Sequence, residues 1–318
     1  MLAKDFLKAF VYHAGKIYLI ADFRHQNHYN KPPQYPIYSK NMNIINAIIN
    51  LVNYPITELV SHYQSRNRAN QAGDALEEYI KDLFANSFHL PATERLEKLS
   101  QTFSYLGNNS NPPDMMLKNG DAIEVKKIEN NHSALALNSS YPKAKLSVNS
   151  PMISTACRNA EQWTEKDLIF VVGVVNGLRL NHLTMVYGED YCAAEECYLR
   201  IKSTIKTGVE NIAGVEFAET KELGRVNRID PLGVTYLRVR GMWGIENPWS
   251  VFDYLYQRDF SRCFNFMAII NEDKWRSFEN TADLLVLQNE SLKINSVKIK
   301  DPNNPARLKP AKLITYTI

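Results

Sequence analysis

Residues 111–127 read NPPDMMLKNGDAIEVKK, and this stretch predicts a β-hairpin with acidic and basic side chains on one face. The tripeptide KNG at 118–120 has the composition of a tight turn, and a strand-like segment at 121–128 follows it. Residues two apart in a strand point to the same face of a sheet. We therefore expect the side chains of Glu124 and Lys126 to project together.

The other strand of this hairpin carries Asp114, and pairing of the two strands would bring its carboxylate beside Glu124 and Lys126. Two converging carboxylates suit Mg²⁺, which takes its remaining ligands from water and phosphate. Such an ion polarises a scissile phosphate and lowers the pKa of a bound water, which Lys126 would position or deprotonate. We predict Asp114 and Glu124 as metal ligands and all three residues as catalytic. The alternative is a turn-capping aspartate and an exposed ion pair on a solvated strand.

A helix with a strong apolar stripe is predicted upstream, where large apolar side chains recur at intervals of three and four between residues 70 and 84. Glu77 lies beside that stripe. It is a candidate third carboxylate, which would join the metal site or orient a water ligand. The alternative is an ordinary glutamate on a helix surface.

The order of a Gly-x-x-x-Glu helix, a Pro-Asp and a Glu-x-Lys strand resembles the PD-(D/E)XK nuclease superfamily. The segments RANQAGDALEEY, FSYLGNNSNPPD, GDAIEVKKIE, ALALNSSYPKAKL, ETKELGR and TYLRVRGMWGIENPW resemble, nearly continuously, the NgoPII-type restriction endonucleases. This resemblance extends over residues 42–249. It matches Asp114 and Glu124 to the metal-binding carboxylates of the superfamily and Lys126 to its catalytic lysine.

The resemblance implies an α/β (α+β) fold with a restriction-endonuclease-like core, in which helices flank a mixed central β-sheet with N- and C-terminal additions. It implies a type II site-specific deoxyribonuclease that uses Mg²⁺ to cut double-stranded DNA at GGCC. Cleavage would follow the second G and leave blunt ends with 5′-phosphates. The partner in function, though not a physical one, would be a cognate DNA methyltransferase.

Two segments carry candidate DNA contacts. The first, LNSSYPKAKL at 137–146, combines short polar side chains with lysines, as phosphate-binding loops do. Its candidates are Asn138, Ser139, Ser140, Lys143 and Lys145. A solvated polar loop is the alternative.

The second segment runs from GRVNRID at 224–230 to VTYLRVRG at 234–241. Its candidates are Arg225, Asn227, Arg228, Arg238 and Arg240. Guanine presents O6 and N7 acceptors that fit arginine, and we favour Arg225 and Arg228 as guanine readers. Surface arginines are the alternative. The alternation in 234–240 also predicts that Val234, Tyr236 (or Leu237) and Val239 face a core.

The bulk composition is that of a soluble globular protein: 318 residues, 45% hydrophobic and 22% charged. A net charge of +3 permits a polyanionic partner without identifying one. Four cysteines are too few for a disulfide framework in a chain of this length. The sequence has no apolar run of membrane-spanning length and no signal-peptide pattern, so we expect a cytoplasmic protein without membrane contact.

We expect three segments: an N-terminal extension or linker at 1–41, an endonuclease domain at 42–250 with its catalytic core around 70–187, and a C-terminal extension of unknown role at 251–318. Residues 1–41 fit either a true extension or a translation start placed upstream of Met42. A palindromic site cut in both strands calls for a homodimer. A structure-specific repair or junction nuclease and a non-catalytic DNA-binding protein are the alternative functions.

Overall fold

The computed structural model describes residues 10–13, 16–19, 42–64, 72–108 and 111–318, and the chain divides into two units, 1–37 and 38–318. In the first unit, strands β1 (Phe10–His13) and β2 (Lys16–Leu19) form an antiparallel pair. The rest of the predicted extension at 1–41 lies outside the described residues.

The second unit alternates helices and strands along the chain. Its helices are α1 (Ile44–Asn53), α2 (Leu59–Gln64), α3 (Ala72–Ala85), α4 (Ala92–Thr102), α5 (Thr155–Arg158), α6 (Gly188–Tyr191), α7 (Glu195–Glu210), α8 (Pro248–Val251), α9 (Glu272–Arg276) and α10 (Thr281–Leu285). Its strands are β3 (Phe103–Asn108), β4 (Asn111–Leu117), β5 (Ala122–Ile128), β6 (Leu135–Asn138), β7 (Lys145–Ser147), β8 (Glu165–Asn176), β9 (Arg179–Tyr187), β10 (Gly224–Asn227), β11 (Tyr236–Val239), β12 (Trp243–Ile245), β13 (Asn265–Asn271), β14 (Leu292–Asp301) and β15 (Asn304–Thr317).

A nine-stranded mixed sheet forms the centre of this unit. Eight strands follow the order β14-β15-β13-β9-β8-β5-β4-β3, and β7 pairs with β8 at the side. β5 runs parallel to β8 and β13 parallel to β9, while the other pairings are antiparallel. Helices α1 and α3 bury their apolar residues in one core with this sheet. A mixed sheet flanked by helices confirms the predicted fold class.

The predicted hairpin is the β4–β5 pair, in which Met115 lies opposite Ile123 and Met116 opposite Ala122. The upstream helix is α3, and its stripe is fully buried, as the periodicity predicted. Gly173 on β8 lies directly beneath this helix: a Cβ added there would be 2.7 Å from a methyl group of Leu76. A glycine at this position therefore lets α3 pack closely on the sheet that carries the hairpin.

Residues 265–317 supply three strands of the same sheet. β13 lies between β9 and β15, and all seven of its residues are buried. Burial of a whole strand requires cover on both faces. The predicted division at residue 250 stays a prediction, but residues 265–317 are structurally continuous with the sheet that holds the β4–β5 hairpin.

The segment at 195–242, here called the arm, consists of α7, the β10–β11 hairpin and their connections. The prediction that Val234 and Tyr236 face a core is wrong, because they are 73% and 58% exposed. In the described part of the chain, β10 and β11 pair only with each other, and the exposure of these side chains shows that the main core does not cover them. Val239 is half-buried.

Candidate active site

The β4–β5 hairpin brings the three predicted catalytic residues together. The backbone N–H of Val125 donates a hydrogen bond to Asp114 Oδ2 at 2.6 Å, which fixes this carboxylate beside β5. Lys126 Nζ donates to Glu124 Oε1 at 2.5 Å, as expected for side chains two apart on a strand. Both partners of this ion pair are largely buried, with side chains 26% and 13% exposed.

Burial and like charge raise the pKa of Asp114 to about 7. Loss of hydration contributes most and the Glu124 carboxylate adds to it, while Lys126 and the Val125 N–H act in the opposite direction. Burial lowers the pKa of Lys126, but the charges of Glu124 and Asp114 outweigh this effect, and the net pKa is raised. The site therefore favours a protonated lysine beside two carboxylates that repel each other.

The donor set fits a hard divalent cation. Glu124 Oε2 is buried and has no hydrogen-bond partner among the described residues. A buried carboxylate oxygen without a partner is costly, and a cation beside Asp114 and Glu124 would satisfy it. The described residues contain no cluster of three or more His, Cys, Asp or Glu side chains placed to hold a metal ion. A two-carboxylate site suits Mg²⁺, which keeps water and substrate oxygens as its other ligands.

A cavity of about 140 Å³ opens over these residues. Its walls include Asp114, Glu124 and Lys126 together with four predicted phosphate contacts, namely Asn138, Ser139, Ser140 and Lys143. The loop after β6 therefore meets the hairpin at one site. Sequence reasoning missed Asn111, Tyr141 and Met152, which also line the cavity. Tyr141 lies in the sequence between two predicted contacts, Ser140 and Lys143, and this neighbourhood is the signal from which it could have been predicted.

Two predicted residues lie near this cavity but not in its wall. Lys145 forms ion pairs with Glu165 at 3.2 Å and Asp167 at 3.4 Å. Glu77 projects from α3, and its charge contributes to the pKa values of both Asp114 and Lys126. Burial raises the pKa of Glu77 itself. Glu77 is therefore within electrostatic range of the site.

Aromatic packing fixes the loop after β6. The Tyr141 hydroxyl donates to Glu195 Oε1 at 2.5 Å, and its ring stacks on Tyr198 with 5.9 Å between centroids. β6 pairs with β12, so that Trp243 lies opposite Asn138, and the Trp243 ring meets the edges of both tyrosines. The arm thus supplies the support on which this wall of the cavity rests.

The five candidates on the arm do not line this cavity. Arg225 and Arg238 face each other across the hairpin, and Arg225 Nε donates to Asn227 Oδ1 at 2.8 Å. Arg238 and Arg240 both bind Glu222, through Nε contacts of 2.7 and 2.6 Å.

Arg228 is exposed, at a positive φ of 52°, and the described residues offer its guanidinium no hydrogen-bond or ion-pair partner. Arg228 is thus the arm candidate whose guanidinium is available to a ligand.

Comparisons with known proteins agree on one family. The model of the NgoPII restriction endonuclease family matches residues 42–300. The type II restriction enzyme NgoPII of Neisseria gonorrhoeae is 68% identical over 276 residues, which cover 86% of this chain and 99% of that enzyme. In the comparison with solved structures, none matched significantly. Among the described residues, no helix has the length and apolar character that a membrane span requires.

Proposed function

This chain belongs to the NgoPII restriction endonuclease family and is a type II restriction enzyme, and we propose that it uses Mg²⁺ to cut double-stranded DNA at GGCC. Cleavage follows the second G and leaves blunt ends with 5′-phosphates. The observation that carries the chemistry is the convergence of Asp114, Glu124 and Lys126 in one cavity with a loop rich in phosphate-binding side chains.

Asp114 and Glu124 hold the cation in this proposal. The bound ion supplies charge neutralisation at the scissile phosphate and a lowered pKa for a water molecule. The Val125 N–H orients Asp114, and Glu124 holds the Lys126 ammonium at 2.5 Å, where that group donates a hydrogen bond that positions the attacking water. Glu77 acts from the neighbouring helix by adding negative charge that favours a cation in the site.

Substrate binding divides between the two polar segments. Asn138, Ser139, Ser140 and Lys143 face the cavity and contact the DNA backbone there, while Lys145 binds phosphate outside it. On the arm, Arg225 and Arg228 read guanine, and the unpaired, exposed guanidinium of Arg228 supports this role. Three further residues contact the DNA backbone beside them: Arg238 and Arg240, which both bind Glu222, and Asn227.

The palindromic site implies a homodimer with one active site for each strand. The arm supports this proposal because many of its large apolar side chains are exposed, among them Leu232 at 85% and Met242 at 71%. The enzyme acts in the cytoplasm, where a cognate methyltransferase protects the host's own GGCC sites.

Sequencing of cleaved ends tests the proposal. Purified protein is incubated with a plasmid of known sequence in Mg²⁺, with a linear duplex lacking GGCC as control. Blunt ends within GGCC alone are expected. Cutting at branched or damaged DNA irrespective of sequence would indicate a structure-specific nuclease of the same superfamily. Specific binding without Mg²⁺-dependent cutting would indicate a DNA-binding protein without catalysis.

A further inference from the structure

A second lysine lies in the wall of the active-site cavity. Lys143 is only 8% exposed, and its Nζ is buried with no hydrogen-bond partner among the described residues. A buried ammonium without an anion is unfavourable. Lys126, by contrast, already binds the Glu124 carboxylate. Of these two lysines, Lys143 therefore has its charge and its three donors available to a ligand.

The position of Lys143 is fixed by contacts on two sides. Its Nζ lies 4.1 Å from the centroid of the Tyr141 ring, which is itself held by Glu195 and Tyr198. Gly188 packs against the backbone behind it: a Cβ at that position would approach the carbonyl oxygens of Lys143 and Ala144 to 2.5 Å. The lysine is thus held before any ligand enters, and this preorganisation is what electrostatic stabilisation requires.

The anion that fits is the phosphate undergoing cleavage. The cavity is small, about 140 Å³, and Lys143 shares it with Asp114, Glu124 and Lys126. In the proposed reaction, the scissile phosphate must lie beside those residues to be attacked. It is therefore the anionic ligand that enters the same cavity as Lys143. A phosphate further along the backbone would be better served by an exposed lysine such as Lys145.

We propose that Lys143 is a catalytic residue whose ammonium donates a hydrogen bond to a non-bridging oxygen of the scissile phosphate. This inference rests on the proposed function. The lysine keeps its proton throughout. Water forms the new P–O bond and releases a proton to solvent, the P–O3′ bond breaks and O3′ takes up a proton from solvent, and Lys143 offsets the negative charge that grows on the phosphoryl oxygens between these events.

Two matched substitutions, Lys143→Met in the cavity and Lys293→Met on the surface, test the inference. Cleavage of a GGCC duplex is followed in single turnover with saturating enzyme and Mg²⁺, and binding is measured in Ca²⁺. Lys143→Met is expected to lower the cleavage rate constant by about 100-fold or more, as loss of one preorganised donor does, with affinity changed by less than about threefold. Lys293→Met, at an exposed position on β14 outside the cavity, is expected to leave the cleavage rate constant within about threefold of wild type.

A phosphorothioate at the scissile position separates a direct contact from a structural role. In the wild type, sulfur in place of the contacted oxygen slows cleavage for one diastereomer, and in Lys143→Met that difference shrinks. If Lys143→Met unfolds, Lys143→Gln replaces it in the same assay. Wild-type cleavage rates in Lys143→Met or in its replacement Lys143→Gln, or weakened binding with an unchanged rate constant at saturation, would overturn the inference. A wild-type protein that cuts no GGCC duplex would instead refute the proposed function.

Discussion

Lys126 forms an ion pair with Glu124, and substitution of this lysine should separate catalysis from substrate binding. Lys126→Ala removes the ammonium that positions the attacking water and offsets negative charge beside it, so we expect a loss of cutting of about 100- to 10,000-fold. Specific binding of a GGCC duplex in Ca²⁺ should stay close to wild type, because the carboxylates remain. Plasmid cleavage and gel-shift titration provide the two measurements. Binding lost together with cutting would assign Lys126 a role in folding.

His182 makes the stability of the fold depend on pH. It is 4% exposed on β9, and burial, reinforced by the charge of Arg258, lowers its pKa to about 4. The unfolded chain, with an ordinary histidine pKa near 6.5, binds more protons between these values, so the free energy of unfolding falls as pH drops from about 6.5 towards 4.

His182→Gln, which cannot titrate in this range, should flatten that dependence. Urea unfolding at pH 7.5, 6.0 and 5.0 checks it, with the substitution of an exposed histidine, His89→Gln on the turn after α3, as control. Equal slopes for the wild type and His182→Gln would show that other groups dominate acid unfolding.

At the scale of elements, the β10–β11 hairpin presents Arg228 at its turn. If this side chain reads guanine, Arg228→Ala should weaken binding at GGCC by about 1 to 3 kcal/mol and change non-specific binding little. Arg276→Ala, an exposed arginine on α9 paired with Glu272, is the matched control and should alter neither. Fluorescence anisotropy with cognate and GGCC-free duplexes measures both affinities. Equal weakening on the two duplexes would reassign Arg228 to phosphate.

The sequence pattern could predict those elements whose strands, helices and turns are specified by residues close together in the sequence. The turn at 118–120 and the alternation after it specify the β4–β5 hairpin, and with it the proximity of Asp114 to Glu124. The pairing of β13 with β9 joins residues more than 80 positions apart, and no periodicity in the sequence indicates such a partner.

The alternation in 234–240 gave a wrong prediction for a related reason. It indicates a strand with two different faces, but whether other residues cover either face depends on parts of the chain that are distant in sequence. The loop at 138–143 illustrates the same limit within the site. Its composition indicated phosphate binding, but its entry into the cavity depends on the pairing of β6 with β12, about 100 residues later in the chain. Lys143 could be named as a contact from sequence, whereas its burial without a partner is visible only in three dimensions.

At the scale of the whole molecule, the arm carries more than half of the exposed large apolar side chains in the described part of the chain. Of the 21 large apolar side chains exposed in the described part of the chain, 11 lie between Leu199 and Met242. A second cavity on the arm, lined partly by Ile201, Leu223 and Trp243, shares Ser139 and Met152 with the active-site cavity. An apolar surface continuous with the active site suits a second copy of the chain, because a palindrome requires two such sites on one duplex.

Leu232→Asp, at the most exposed apolar position of the arm, should therefore disrupt the proposed dimer. Light scattering is expected to give about 73 kDa for the wild type, twice the 36.5 kDa of one chain, and a mass near one chain for the variant. Val286→Asp, 80% exposed outside the arm, should remain dimeric. The monomer should nick supercoiled plasmid in one strand before linearising it, since its two cuts would then come from separate encounters. A Leu232→Asp protein that stays dimeric and linearises plasmid directly would place the interface on another face.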